Sequence, residues 1–285
     1  MADLNENAAI GPVATDHILI DGLRIRYAVD RRASTGTPIL LTTPFPESVF
    51  AFLPVWEDFA TLGPVIAVDL PGFGRSESRQ DLMSPSAMGL FLIKLLDAFE
   101  LTRVHAVVPD VGTLAALFAA AQHPERFASI VAGSGGAAMD LLGEPLMQIA
   151  QSSRSDFEGV DGGEQVVGLV RQLARITPQD AVIEDYRLSA LGDRWNKAAD
   201  FIRAYPRDLP RLAPLLPQID VAVLVLSGSG DPFVPPSNGA FLQAHLPRCE
   251  AHVIEAGHFV WEDAPEEYAR QATAWIKRHD MAVPH

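Results

Sequence analysis

Three side chains able to act as nucleophile, acid or base follow closely on apolar runs in this sequence: Asp110, Asp231 and His258. Short apolar runs rich in β-branched residues are typical of buried strands. Because ligands of open α/β sheets bind at the carboxyl ends of the strands, we expect the three side chains to converge at that edge. They are therefore the candidate catalytic residues.

Asp110 stands at a corner between a predicted strand and a predicted helix. The run 104–109 is apolar, and the run 111–122 is rich in alanine and leucine. A strand that turns directly into a helix strains its corner residue, and Gly112 leaves room for the chain to fold back. This is the geometry of a nucleophile elbow, usually Gly-x-Ser-x-Gly, although aspartate stands at the corner here and Val108 replaces the first glycine. The alternative is that Asp110 only caps the helix.

The composition excludes several classes of function. The chain has 285 residues, 48% of them hydrophobic, which predicts a soluble globular protein with one large α/β domain. Its formal charge of −14 repels phosphate groups, so a nucleic-acid partner is not expected. The single Cys249 excludes an intrachain disulfide and a cysteine metal cluster. Residues 1–14 lack the features of a signal peptide and no segment is apolar enough to span a membrane, so we predict a cytoplasmic protein without a membrane partner.

Strands and helices alternate along most of the chain. Asp21-Gly22, between two alternating runs, predicts a β-hairpin. Buried strands are predicted at 38–42, 64–69, 104–108, 128–132, 221–226 and 251–254, and helices at 47–62, 84–99, 111–122 and 265–278. Alternating strands and helices form right-handed βαβ units, which predicts an α/β fold with a mostly parallel sheet.

The alternation is lost in the middle of the sequence. Residues 135–214 contain helical runs at 163–176 and 194–204, several prolines and no strong strand pattern. We predict that this segment is a helical cap inserted into an α/β core. The core would comprise residues 15–134 and 215–280 and follow a flexible N-terminus of residues 1–14.

Four segments of the chain resemble those of the α/β-hydrolase superfamily. The segment 69–76 is similar to the loop after the fourth strand, 227–235 to the loop of the triad acid and 255–260 to the loop of the triad histidine, and the elbow is the fourth. Their order, nucleophile then acid then histidine, is the order that this fold requires. The resemblance covers nearly the whole chain and implies the α/β-hydrolase fold, with helices on both sides of the sheet and a helical cap.

An aspartate at the elbow resembles the epoxide hydrolases and the haloalkane and haloacetate dehalogenases of this superfamily. A carboxylate can displace a leaving group at a saturated carbon and form an alkyl ester. The resemblance implies that Asp110 attacks the substrate and that His258, oriented by Asp231, activates the water that hydrolyses the ester. It also implies an oxyanion hole formed by the backbone amides of Phe45 and Val111.

The loop 43–46 departs from the family pattern. It reads Thr-Pro-Phe-Pro where the family has His-Gly-x-Pro. Pro44 has no N–H, but the donor that the resemblance implies is on Phe45, so the oxyanion hole is retained. The resemblance further implies a cis bond between Phe45 and Pro46.

The predicted cap contains the candidates for assisting the leaving group. Tyr186 and Tyr205 are candidates for protonating an opened epoxide, and Trp195 is a candidate indole donor to a halide or to another substrate group. Each of the three has the alternative role of packing within a helical segment. Val111 and Phe45 lack the side-chain donors that dehalogenases place beside the nucleophile, which favours an epoxide as the substrate.

Four other functions remain open. They are a haloalkane or haloacid dehalogenase, a cofactor-free lyase, isomerase or cyclase using Asp110 and His258 as acid and base, a non-catalytic ligand-binding protein, and a serine esterase, which is the least favoured because Ser134 follows a different strand. The sequence has no metal-ligand cluster and no phosphate-binding loop, so we expect neither a metal nor another cofactor. A cap rich in Leu, Val and Ile predicts a mainly apolar small-molecule substrate as the partner. Nothing in the sequence indicates an oligomeric state.

Overall fold

A nine-stranded sheet forms the centre of the computed structural model, which describes residues 8–280. The strands in chain order are β1 (Ala9–Ile10), β2 (Val13–Ile20), β3 (Leu23–Asp30), β4 (Ile39–Thr42), β5 (Val65–Val68), β6 (Val104–Val107), β7 (Phe127–Ala132), β8 (Val223–Gly228) and β9 (Cys249–Ile254). Their order across the sheet is β1-β2-β3-β5-β4-β6-β7-β8-β9. The pairs β1–β2, β2–β3 and β3–β5 are antiparallel, and all pairs from β5 to β9 are parallel. The predicted mostly parallel α/β-hydrolase sheet is confirmed.

The central strands are continuous apolar runs because helices cover both faces of the sheet. The helices are α1 (Trp56–Ala60), α2 (Pro85–Ala98), α3 (Val111–Gln122), α4 (Glu144–Gln151), α5 (Gly162–Leu173), α6 (Asp180–Ala190), α7 (Arg194–Ala198), α8 (Asp200–Arg203), α9 (Tyr205–Leu212), α10 (Ser237–His245), α11 (Val260–Asp263) and α12 (Pro265–Asp280). One apolar cluster contains residues of α2 and α3, and a second contains residues of α1 and α12. None of the helices among residues 8–280 is long and apolar enough to cross a membrane.

Local sequence signals explain several element boundaries. Asp21 and Gly22 both have positive φ, as a two-residue hairpin turn requires, and they join β2 to β3 as predicted. The Ser84 side chain caps α2 by accepting a hydrogen bond from Ala87. The helix predicted over 47–62 is instead a 3₁₀ helix at Val49–Val55 followed by α1. Pro54 lies within the 3₁₀ helix, and a proline cannot donate the backbone hydrogen bond that an α-helix needs.

The predicted flexible N-terminus is wrong for residues 9–14. Ala9 pairs with Ala14 and Ile10 with Val13, so β1 adds to the edge of the sheet. Val13 is buried, and Thr15 exchanges hydrogen bonds with Ala8. The segment before residue 8 is polar and acidic, and the apolar residues 8–10 are too few to predict a strand by themselves. Pairing with β2 stabilises this short strand. Residues 1–7 lie outside the described residues.

Residues 133–222, all of which the structure describes, contain helices α4 to α9 and no strand. Two arginines, the buried Arg26 and the half-buried Arg194, attach these helices to the core loop at 69–76. Arg26 of β3 donates to Asp69 at 2.5 Å and, through both terminal nitrogens, to Asp185 of α6 at 2.8 and 2.9 Å. Arg194 at the start of α7 donates to the carbonyl oxygens of Gly74 and Ser76. Removing one partner of such a buried pair leaves an uncompensated charge, so these contacts fix the helices over the sheet.

Candidate active site

Asp110 occupies a sharp turn between β6 and α3. Its φ of 54° and ψ of −123° lie in a region that non-glycine residues rarely adopt, as expected for a nucleophile elbow. A Cβ atom at Gly112 would collide with the Thr42 hydroxyl, so the second glycine of the motif is required here. Val108, at the position of the first glycine, is fully buried in the apolar cluster of α2 and α3.

Backbone amides hold the Asp110 carboxylate. The N–H of Phe45 donates to Oδ2 at 2.6 Å, and the amide of Val111 lies near enough to lower the pKa of the carboxyl group. The side chain forms no N-cap hydrogen bond to α3, so the geometry does not support the alternative that Asp110 is only a helix cap. The Phe45–Pro46 peptide bond is cis, as the resemblance implied.

His258 lies between the two predicted carboxylates. Its Nδ1 is 2.8 Å from Oδ2 of Asp231, and its Nε2 is 3.9 Å from Oδ1 of Asp110. The other oxygen of Asp231 accepts hydrogen bonds from the amides of Phe233 and Val234 at 2.9 Å, which fixes the carboxylate. The structure thus brings Asp110, Asp231 and His258 together at the carboxyl ends of β6, β8 and β9.

A family model and several known proteins match this chain. The model of the alpha/beta hydrolase family matches residues 27–271. The chain belongs to this family. A 2-hydroxy-6-oxononadienedioate/2-hydroxy-6-oxononatrienedioate hydrolase of Burkholderia vietnamiensis is 27% identical to this α/β hydrolase over 77% of the chain and 79% of its own. A haloalkane dehalogenase of Psychrobacter cryohalolentis is 28% identical over 90% and 88%.

The fold of this α/β hydrolase is also that of a solved epoxide hydrolase, CorEH. The two structures agree with a TM-score of 0.79 over 93% of this chain and 99% of that one, at 17% sequence identity. The likeness concerns the fold alone. The choice among substrates therefore depends on the side chains around Asp110.

Burial and hydrogen bonding set the protonation of the site. Burial raises the pKa of Asp110 to about 6, against the opposing effects of His258 and the amides of Phe45 and Val111. Burial lowers the pKa of His258, but the carboxylates of Asp231 and Asp110 outweigh it and the pKa is raised overall. Between about pH 6 and the raised pKa of His258 this α/β hydrolase therefore presents an ionised, poorly solvated carboxylate beside an imidazolium, and the neutral imidazole that can act as a base forms above that pKa.

A small cavity of about 40 Å³ adjoins Asp110 and His258. It is otherwise lined by apolar side chains and the proline ring, from Phe45, Pro46, Leu146, Ile149, Leu169, Trp195, Ile202, Phe233 and Phe259. The volume accommodates only a few water molecules, so a larger substrate displaces lining side chains or helices as it enters. No arginine or lysine lines the cavity, which disfavours an anionic substrate.

The structure separates the three aromatic residues that the sequence predicted as substrate contacts. Trp195 lines the cavity, and its ring centroid is 6.0 Å from that of Phe45. Tyr205 is buried and does not line the cavity, but it lies near enough to Asp110 for the carboxylate to add to the rise in the tyrosine pKa that burial causes. Tyr186 is not in the lining. Its hydroxyl donates to Glu262 at 2.8 Å, so the prediction of a substrate contact is not supported.

Sequence reasoning missed most of the apolar lining. Phe233 and Phe259 had a usable signal, since each lies within two residues of Asp231 or His258. Leu146 and other lining residues of the helices had none, because which face of a helix points into a cavity depends on how the helix packs. Residues 8–280 contain no group of three or more His, Cys, Asp or Glu side chains arranged to hold a metal ion.

Proposed function

We propose that this α/β hydrolase opens a small, neutral, mainly apolar epoxide through a covalent ester on Asp110. The supporting observation is the position of the Asp110 carboxylate. Oδ2 accepts the Phe45 N–H at 2.6 Å, while Oδ1 lies on the side of His258. One oxygen is thus placed in an oxyanion hole and the other is available to attack a substrate.

The first half of the reaction forms the ester. Oδ1 of Asp110 attacks an epoxide carbon, the carbon–oxygen bond of the ring breaks, and the ring oxygen takes a proton from Tyr205, which reaches the cavity through the same movement of the lining that admits the substrate. Esterification removes the charge of Asp110, which contributes to the raised pKa of Tyr205, so the phenol becomes a stronger acid as the oxygen leaves. No described residue accepts a hydrogen bond from the indole N–H of Trp195, which can therefore donate to the same oxygen.

The second half hydrolyses the ester. Nε2 of His258 takes a proton from water, and the resulting hydroxide attacks the Cγ atom of Asp110. The negative charge develops on Oδ2, where the amides of Phe45 and Val111 stabilise it. The ester bond then breaks, the leaving alkoxide takes the proton of the Asp110 carboxyl group to give the diol, and His258 returns its proton to the tyrosinate. Asp231 stabilises the imidazolium while it exists.

The apolar lining supports a neutral substrate. The relative from Burkholderia vietnamiensis is named for a dioate, which carries two carboxylates. Two carboxylates would have no cationic partner in the cavity of this protein, and burying an unpaired charge is costly. We therefore favour an epoxide over an organic diacid.

Dehalogenation is the second candidate function. It uses the same ester on Asp110, one relative is named a haloalkane dehalogenase, and Trp195 offers one N–H to a halide. Phe45 and Val111, which flank the nucleophile, have no side-chain donor to add to it. Release of halide from a panel of haloalkanes, measured beside diol formation from epoxides, separates the two functions.

Single turnover in oxygen-18 water tests the ester mechanism. With enzyme in excess over epoxide, we expect label in the carboxylate of Asp110 and none in the diol, because the water attacks Cγ and the first diol oxygen comes from the aspartate. Mass spectrometry of the diol and of the peptide spanning 104–113 measures both. A second, matched reaction with substrate in excess should yield labelled diol. Label in the diol at the first turnover would contradict the ester and favour Asp110 as a general base.

The Asp231→Asn variant tests the role of the acid. Asparagine can hold the imidazole but cannot stabilise its positive charge, so we expect kcat to fall by about 10³- to 10⁴-fold with the fold retained. The pKa of His258 should fall because its main raising partner is lost, which moves the acidic limb of the pH–rate profile to lower pH. Stopped-flow rates of ester hydrolysis between pH 5 and 9 measure both effects. Wild-type rates in this variant would show that another residue orients His258.

A further inference from the structure

Two glutamates are buried together behind the candidate site. The Glu47 side chain is fully buried and Glu262 is 4% exposed. Glu47 lies two residues after Phe45, the proposed oxyanion donor, and Glu262 lies in α11, four residues after His258. The pair therefore lies between the two loops that carry the oxyanion donor and the proposed base.

Each carboxyl group has one oxygen bound to a neighbouring donor. The indole N–H of Trp261 donates to Oε2 of Glu47 at 2.9 Å, and the hydroxyl of Tyr186 donates to Oε1 of Glu262 at 2.8 Å. The other two oxygens, Oε1 of Glu47 and Oε2 of Glu262, are buried and receive no hydrogen bond from a donor group among the described residues. The two carboxyl groups lie close enough for each to shift the pKa of the other, and since two carboxylates have only acceptors, a hydrogen bond between the two remaining oxygens requires a proton.

The surroundings favour keeping that proton. Burial and Glu262 raise the pKa of Glu47 well above its usual range, and the charge of Asp110 adds to the effect. Burial raises the pKa of Glu262 to about 7, with a smaller raising contribution from Asp263, although its hydrogen bonds oppose the shift. Tyr186, which also faces the pair, has its own pKa raised and stays a neutral donor.

We propose that Glu47 and Glu262 share one proton and that their bond positions the Phe45 amide and His258 relative to each other. Trp261 completes the connection, because its indole binds Glu47 while its ring centroid lies 6.4 Å from that of His258. The two glutamates are positioning residues, and their effect on turnover rests on the proposed function. Glu262 also lines a surface cleft of about 180 Å³, through which the pair can exchange its proton with solvent.

Amide variants isolate the shared proton. In Glu262→Gln the amide oxygen can accept from Tyr186 while the NH₂ group donates to Glu47. In Glu47→Gln the amide oxygen can accept from the Trp261 indole while the NH₂ group donates to Glu262. Each variant keeps the hydrogen bond and the single negative charge of the protonated pair but removes the proton that titrates. Glu262→Leu is the matched variant that removes the bond.

Infrared spectroscopy detects the proton without requiring turnover. We expect a carbonyl band of a buried carboxylic acid at pH 6, absent from both amide variants. The measurement is made in an Asp110→Asn background, because Asp110 itself has a pKa of about 6 and would contribute a similar band. A background protein that lacks the band, or a band that persists in both amide variants, would overturn the shared proton.

Stability and turnover test the positioning role. The pKa of Glu262 is raised to about 7 from 4.5, so the stability that the pair contributes is full below about 4.5 and is lost as the pH rises through about 7. We expect wild type to lose stability and kcat over that range relative to Glu262→Gln. At pH 6, Glu262→Gln should stay within about threefold of wild-type kcat, whereas Glu262→Leu should lose at least about tenfold because the site is misplaced. KM should change little in either.

The outcomes separate this proposal from the proposed function. A Glu262→Leu variant with wild-type kcat, or a Glu262→Gln variant as slow as Glu262→Leu, would contradict the positioning role. If wild type turns over no epoxide or haloalkane, the proposed function fails. The infrared band and the pH dependence of unfolding still decide whether the pair holds a proton.

Discussion

Asp110→Asn should abolish turnover of every substrate, by at least about a thousandfold in kcat, while the protein remains folded. The amide oxygen of asparagine can still accept the Phe45 N–H, and asparagine tolerates positive φ better than most residues. An amide cannot form the ester, so the loss is chemical. Diol formation under single-turnover conditions, with circular dichroism as the check on folding, measures the two effects.

Stability distinguishes a nucleophile from a helix cap at this position. Burial raises the pKa of Asp110 from 3.8 to about 6, so ionisation destabilises the folded state as the pH rises through 6. At pH 8 we therefore expect Asp110→Asn to be more stable than wild type by about 1–3 kcal/mol in urea unfolding.

The matched control is Asp161→Ala, which removes a true cap, because the Asp161 side chain does cap α5 by accepting from Gly163 and does not line the cavity. That variant should keep full activity. Asparagine caps a helix about as well as aspartate, so the cap is tested with Asp110→Ala: wild-type kcat with stability lowered by about 1 kcal/mol would show instead that Asp110 acts as a structural cap.

His258→Gln should accumulate the ester that wild type hydrolyses. Attack by Asp110 does not need the imidazole, but activation of the hydrolytic water does, so we expect hydrolysis to slow by about 10²- to 10⁴-fold and the adduct to persist. Intact-protein mass spectrometry should show a gain equal to the whole mass of an epoxide, located by peptide mapping between residues 104 and 113. A haloalkane should instead add its alkyl group and release halide.

The control for this trapping is the double variant Asp110→Asn/His258→Gln, which should gain no mass. An adduct in the double variant would place the nucleophile elsewhere. A single variant that forms no adduct with any reactive substrate, yet is folded, would contradict the ester mechanism. The acid–base reaction with Asp110 and His258 would then be the better explanation.

The candidate catalytic residues could be predicted from the sequence, whereas the roles of the cap tyrosines could not. Asp110 and Asp231 could be located in the sequence because each follows a continuous apolar strand, and parallel strands end at one edge of a sheet. The strand before His258 is interrupted by Glu250 and His252, so His258 was located mainly by the resemblance of its loop and by its place after the acid. The amide of Phe45 was placed by resemblance, and its distance of 2.6 Å from Oδ2 of Asp110 agrees with that placement. Neither a strand end nor a family motif fixes where the side chains of the cap tyrosines lie. Tyr186 and Tyr205 both lie in helices, and only packing decided that one faces Glu262 and the other lies near Asp110.

The sequence by itself determined the α/β sheet, the corner at Asp110 and the order of the three candidate residues, because these depend on local patterns and on the ends of strands. The tertiary structure alone decided that the Asp110 side chain does not cap α3. It alone brought Glu47 against Glu262, since neither residue carries a local signal for a partner so distant in the chain. A buried carboxyl group has its protonation set by what surrounds it, and a linear sequence does not specify those surroundings.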